Sequence, residues 1–228
     1  MIWIYAFIGL MILSMVVQNR LRSKFKEYSQ VPIDSGMTGK EVAEKMLRDN
    51  HIHDVKVVSV PGRLTDHYNP RDKTVNLSPD VFNGRSVAAA AVAAHECGHA
   101  VQHATSYAWL NMRSVLVPFV SVSSKLMNVL IIMMIFGIAF SFLSANMAIF
   151  LLIAAQGFIT LFALVTLPVE FDASSRALVW LRDAGITSYQ TQEKAEDALK
   201  WAARTYLVSA LAAVATLMYY LSLVLGRD

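Results

Sequence analysis

"LMNVLIIMMIFGIAFSFLSANMAIFLLIAAQGFITLFALVTLPV", residues 126–169, contains no Asp, Glu, Lys or Arg. A helix that crosses a bilayer needs roughly 20 consecutive apolar residues, so this run is long enough for two crossings. Ser144, Ala145 and Asn146 supply the residue types of a tight turn between them. The expected unit is a transmembrane hairpin with legs at 126–143 and 147–167.

Working outward, two further apolar stretches stand at the ends of the chain: "MIWIYAFIGLMILSMVV" (1–17) and "YLVSALAAVATLMYYLSLVLG" (206–226). The first has no basic residue ahead of its apolar run and no small-x-small site after it, so it reads as an uncleaved anchor rather than a secretory leader. Four spans fit a composition of 55% hydrophobic and 16% charged residues, far from the balance of a soluble domain. The fold class expected is a mostly α integral membrane protein, with about four transmembrane helices and a separate polar region.

Charge sets the expected orientation. Arg20, Arg22, Lys24 and Lys26 follow the first span, and no Lys or Arg precedes it. The positive-inside rule then places residue 20 onward in the cytoplasm. Alternating crossings put 18–113 and 168–204 on that same face, with 13 and 5 of the 20 Lys and Arg residues respectively. The same segments carry most of the acids, so the basic residues report topology rather than nucleic-acid binding. The single cysteine forms no internal disulfide, which suits a reducing compartment.

Within the first polar segment, "TGKE" (38–41) has capping-box spacing and opens an amphipathic helix with Val42, Met46 and Leu47 on one face. Residues 55–79 then alternate β-branched clusters with turn signals at Pro61-Gly62 and Asn69-Pro70-Arg71-Asp72. They predict a small antiparallel sheet, whose strand "TVNLS" (74–78) is a candidate edge for pairing an extended substrate. Ser86 opens the alanine-rich "VAAAAVAAHECGHAVQH". Its wholly apolar part, 87–94, is too short to cross a bilayer. In the second polar segment, "LPVEFDASSRALVWLRDAG" reads as a helix capped at Gly185, and 189–206 as one running into the last span.

The chemistry lies in H-E-C-G-H, residues 95–99. On a helix, His95 and His99 are about 40° apart around the axis and one turn apart along it, so both rings can reach one ion. Glu96 falls on the flank, where it can accept a proton from water and return it to a leaving amine. His103 lies about 12 Å from His95 along the axis, too far for a common ion on an unbroken helix, so it reads as a packed or solvent-touching helix residue, with a supporting place lining the cleft as the alternative. A catalytic zinc takes three protein ligands. Glu170 is the preferred third, since it follows the hairpin and returns to the face that carries His95. Asp172 competes, but two residues along a helix turns it roughly 200° away. Gly98 and the small Cys97 let another element approach the helix closely. Cys97 faces away from the histidine pair and reads as a packing residue. Catalysis also wants a donor for the developing oxyanion, for which His67, Tyr68 and Arg176 are candidates.

Three stretches, "LTDHYNPRDKTVNLS" (64–78), "AAHECGHAVQHA" (93–104) and "LPVEFDASSRAL" (167–178), together resemble the neutral zinc metallopeptidase family of bacterial membrane proteins, of the YugP type. The likeness covers nearly the whole chain. More distantly, residues 170–174 resemble the Glu-x-x-Ala-Asp ligand motif of HtpX-like and CAAX-prenyl membrane proteases. The resemblance implies a gluzincin arrangement: one zinc per chain on His95, His99 and Glu170, Glu96 as general acid/base, and a zincin-like α+β catalytic region. It also implies a multi-pass protein of the bacterial cytoplasmic membrane that cleaves peptides or membrane proteins. Ser174 stands where the distant relatives carry the Asp that orients a ligand histidine; Asp172 is one possible substitute.

The expected organisation is an anchor at 1–19, a cytoplasmic catalytic region at 20–113 and an apolar lead-in with hairpin at 114–169. Helices carrying the third ligand follow at 170–204, and a last span at 205–228. Two other classes compete. A non-proteolytic scaffold with a structural zinc would need no general base and would close the fourth position with another ligand. A metal transporter would carry ionisable ligands inside its spans, and the hairpin has none.

Overall fold

The structure, a computed structural model, describes residues 2–136 and 144–226. The chain is mostly helical and divides into two compact units. One comprises Met1–Met15, Asn111–Leu167 and Tyr206–Asp228; the other comprises Val16–Leu110 and Pro168–Thr205.

The first unit is built from the apolar parts of four long helices: α1 (Ile2–Tyr28), α5 (Ala108–Ile135), α6 (Ala145–Asp183) and α7 (Tyr189–Leu225). All four are long and apolar enough to cross a membrane. Large apolar side chains such as Ile8, Ile132, Phe150 and Leu211 are exposed, as a lipid-facing surface requires. Inside this unit, buried Gln156 and Thr160 both donate to the Ala213 carbonyl, at 3.0 and 3.1 Å. Polar groups away from water need such partners. The hairpin differs from expectation at its turn. Helix α5 begins at Ala108, well ahead of Leu126, and residues 137–143 of the expected first leg lie outside the described residues. Ala145 and Asn146 are helical rather than turn. Ser144 caps α6 with its hydroxyl 3.3 Å from the Met147 amide.

The second unit holds α2 (Gly39–Asp49), β1 (Lys56–Ser59), β2 (His67–Asn69), β3 (Thr74–Leu77), α3 (Pro79–Phe82) and α4 (Val87–Ala104). The polar parts of the long helices belong to it as well. Thr38 and Glu41 form the capping box that starts α2, and the Ser86 hydroxyl accepts the Ala89 amide at the start of α4. The core joins α2, β3 and α4 through Val42, Met46, Val75, Leu77, Ala90 and Cys97, closed by Leu181 and Ile186 from beyond α4. Gly185, at φ 65°, ends α6 in the left-handed conformation that glycine adopts without strain. Pro168 does not begin a new helix. It lies inside α6, which runs on unbroken to Asp183.

The sheet corrects the antiparallel expectation. Its order is β1-β3-β2, with β1 parallel to β3 and β2 antiparallel to it. Pro61-Gly62 does not turn a hairpin, and only 70–73 does so, joining β2 to β3. The physical reason is burial: Val75 and Leu77 are wholly covered, and the strand with covered side chains takes the centre. It follows that "TVNLS" is not an edge. The edges are β1 and β2.

Candidate metal centre

Helix α4 carries His95, Glu96 and His99 because an alanine-rich stretch favours helix and its small side chains admit close neighbours. The closest approach is at Gly98: a Cβ there would meet the Ala173 carbonyl oxygen at 2.5 Å. That contact sets α6 against α4 and delivers Glu170, one turn before Ala173, to the histidine pair. Nε2 of His95 lies 3.3 Å, and Nε2 of His99 3.6 Å, from the same oxygen of Glu170. The two imidazoles stand nearly perpendicular, with ring centres 4.9 Å apart.

This donor set can hold a metal ion. One atom from each of His95, His99 and Glu170 lies within 4.8 Å of the others, and all three residues are largely or wholly covered. Zinc bonds to nitrogen and oxygen are about 2.1 Å, so neighbouring ligands around a tetrahedral ion stand roughly 3.4 Å apart. The two histidine-to-carboxylate separations bracket that value. Two neutral imidazoles with one carboxylate are also the donor chemistry of catalytic zinc. Burial pushes the His99 pKa down, but the Glu170 hydrogen bond and the Glu96 charge outweigh it and raise the value. The surrounding carboxylates thus favour positive charge at this point.

Each histidine is held from behind. Nδ1 of His95 is 3.1 Å from the Ser174 hydroxyl. Nδ1 of His99 is 3.0 Å from Oε1 of Gln102. The Gln102 amide donates to the Val169 carbonyl and to Asp172, both at 2.8 Å, and Arg176 donates to Asp172 at 2.6 Å. Such hydrogen bonds fix the tautomer and ring orientation of ligand histidines. Ser174 thus contacts His95 directly, while Asp172 reaches His99 through Gln102. Asp172 is not in the three-residue cluster.

Glu96 is buried, and one of its oxygens accepts the Tyr68 backbone amide at 3.0 Å. The carboxylate is therefore steered by the edge strand β2. The remaining sequence candidates are engaged elsewhere. The Tyr68 hydroxyl meets Nδ1 of His103 at 2.7 Å. Burial and then the Asp54 charge push the Tyr68 phenol up to about 12, so it stays protonated and can donate to that nitrogen. His67 is exposed, with Nδ1 2.8 Å from the Thr65 carbonyl. Arg176, besides its pair with Asp172, lies over the Tyr107 ring. Cys97 is wholly buried and its thiol faces the Ala43 carbonyl. Burial pushes that thiol up, which makes it packing and not a nucleophile.

Among the described residues, Gln102 is a contact of the site that the sequence alone does not single out. The available signal was its position three residues after His99, where helix neighbours meet; its second partner on another helix has no local trace.

The family described as "Putative neutral zinc metallopeptidase" matches residues 3–225. The chain is also 38% identical over 230 residues to "Putative membrane protease YugP" of Bacillus subtilis (strain 168), covering 100% of this chain and 99% of that protein. No solved structure matches the chain.

Proposed function

The chain belongs to this zinc metallopeptidase family, and from that membership we propose that it is a multi-pass membrane endopeptidase of the bacterial cytoplasmic membrane. His95, His99 and Glu170 hold one zinc, Glu96 moves the proton, and the site faces the cytoplasm. The observation that carries this reading is the convergence of two imidazoles and one carboxylate within 4.8 Å, with a second buried, oriented carboxylate, Glu96, one residue from His95. A zinc ion bound there supplies a Lewis acid that polarises a peptide carbonyl and acidifies water.

The chain's own groups do the rest. Glu96 has one oxygen tied to the Tyr68 amide, so the other is the one that takes the water proton and passes it to the leaving amine. Ser174 and Gln102 keep both Nε2 atoms turned to the centre. Strand β2, an edge of the sheet that reaches Glu96 through Tyr68, is where an extended peptide would pair. Glu170 lies about 4.5 Å along α6 from Leu167, the end of its apolar stretch. That spacing supports juxtamembrane segments and loops of membrane proteins as substrates. The positive-inside pattern of residues 20–26 supports the cytoplasmic face.

The test compares detergent-purified wild type with Glu96→Gln on an unfolded protein substrate. The variant should keep its zinc and lose roughly 10²–10⁴-fold of proteolytic rate. Zinc binding with equal cleavage by both proteins, or with none by either across substrates, favours a scaffold that holds zinc for stability.

A further inference from the structure

The polar unit contains a cavity of about 1080 Å³ that shares no lining residue with the metal centre. Arg22, Lys26, Arg63 and Arg85 line it, with Asp80 as its one acidic residue. Arg22 and Lys26 sit four apart on one face of α1. Both are exposed, and neither side chain has an ion pair or hydrogen bond among the described residues. Lys24, between them, is turned elsewhere and is spent on Tyr28, Glu27 and Asp197. The other two cations are only loosely held. Arg63 stands 3.5 Å from Asp80 with both side chains largely exposed. Arg85 stands 3.8 Å from Glu41 and donates to the Gly36 carbonyl. Exposed pairs of this kind contribute little, so both cations can turn to a ligand. With two free cations and two replaceable pairs, the cavity selects a compact anion.

The position along α1 narrows the source. The first charged residue on that helix is Arg20. From Ile2 to Arg20 the helix rises about 27 Å, close to the roughly 30 Å of a hydrocarbon core. Arg22 and Lys26 follow about 3 and 9 Å further on, within or just past the headgroup layer of roughly 5–7 Å on each side. Leu64, which also lines the cavity, is 51% exposed and held at a φ of 57°. A β-carbon-bearing residue adopts that conformation at a cost, and here it leaves an apolar side chain beside the cations. An exposed apolar group in the lining suits glycerol and acyl carbons, and the volume is ample for a lipid headgroup.

We propose that this cavity binds the phosphate-bearing headgroup of an anionic phospholipid. Arg22 and Lys26 contact the phosphate and Leu64 lies against the lipid's apolar portion. The inference rests on α1 crossing the membrane and stands apart from the peptidase reading.

The test titrates the full chain in neutral detergent with dioctanoyl phosphatidylglycerol, dioctanoyl phosphatidylcholine, inorganic phosphate and hexaglutamate, following binding by thermophoresis. Saturable binding of phosphatidylglycerol, at least ten-fold tighter than the other three, is expected. Arg22→Gln with Lys26→Gln should weaken it by roughly 30-fold, about five-fold for each charge removed. Arg48→Gln with Arg71→Gln removes the same charge from exposed positions outside the cavity and should change it less than two-fold. Equal binding of both lipids, or equal weakening in both double variants, overturns the proposal. Phosphate binding as tightly as the lipid assigns the cavity to a free phosphate instead, and preferred binding of hexaglutamate assigns it to an acidic peptide.

Discussion

Gln102 has no exposed surface, yet both ends of its amide are engaged: the oxygen with His99, the nitrogen with Val169 and Asp172. A buried amide in that position makes sense only if it holds its neighbours in place, because its desolvation must be repaid by each of these bonds. Gln102→Leu keeps the volume but leaves Nδ1 of His99 without its partner. Loss of such a supporting contact typically costs 10–100-fold in metal affinity. Zinc affinity measured against a competing chelator should therefore fall by that factor, while Glu96 chemistry in zinc-saturated protein falls less. Unchanged zinc affinity in Gln102→Leu removes the orienting role. Cys97, one residue from Glu96, makes the contrast: wholly buried with its thiol pushed up by burial, it belongs to the core and not to the reaction.

At the scale of elements, the meeting of α4 and α6 depends on one missing β-carbon. Alanine at 98 would gain about 1 kcal/mol of helix propensity. It would also place a methyl 2.5 Å from a backbone carbonyl of Ala173, and overpacking of that kind costs roughly 1–3 kcal/mol. The contact is with backbone and cannot yield by a rotamer change, so the clash wins and Glu170 is displaced. Gly98→Ala should bind zinc at least ten-fold more weakly, whereas Gly157→Ala, with open space around it, should bind as wild type; equal affinity in both variants contradicts the close-packing account. The elements differ in how far the sequence discloses them. The capping box at Thr38, the Ser86 cap and the H-E-x-x-H spacing are local, and local geometry can be read from neighbouring letters. The order β1-β3-β2 is not local, since the turn residues at Pro61-Gly62 do not reveal whether the next strand pairs beside or beyond. Burial of Val75 and Leu77 decides it, and burial is a property of the folded unit. The through-running helix at Pro168 is a similar case, where the run of residues on either side overrides a breaker.

For the whole molecule, the site is assembled from two stretches of chain that are 75 residues apart between His95 and Glu170. Most of what lies between is the apolar helical pair α5 and the first part of α6. The choice of Glu170 over Asp172 was legible only in outline, because helix angles separate the two carboxylates without saying which one faces α4. In the structure Glu170 joins the histidines while Asp172 is bound to Gln102 and Arg176. The four apolar helices and the full-length likeness to a membrane protease mark the chain as a membrane protein, so it must be handled as a full chain in detergent. The decisive quantity is zinc per chain, measured by elemental analysis on wild type, Glu170→Gln and Asp172→Asn purified in parallel. Wild type should hold one zinc, Asp172→Asn should retain most of it, and Glu170→Gln should lose nearly all. Full zinc in Glu170→Gln together with loss in Asp172→Asn would show that the ion is held by the other carboxylate.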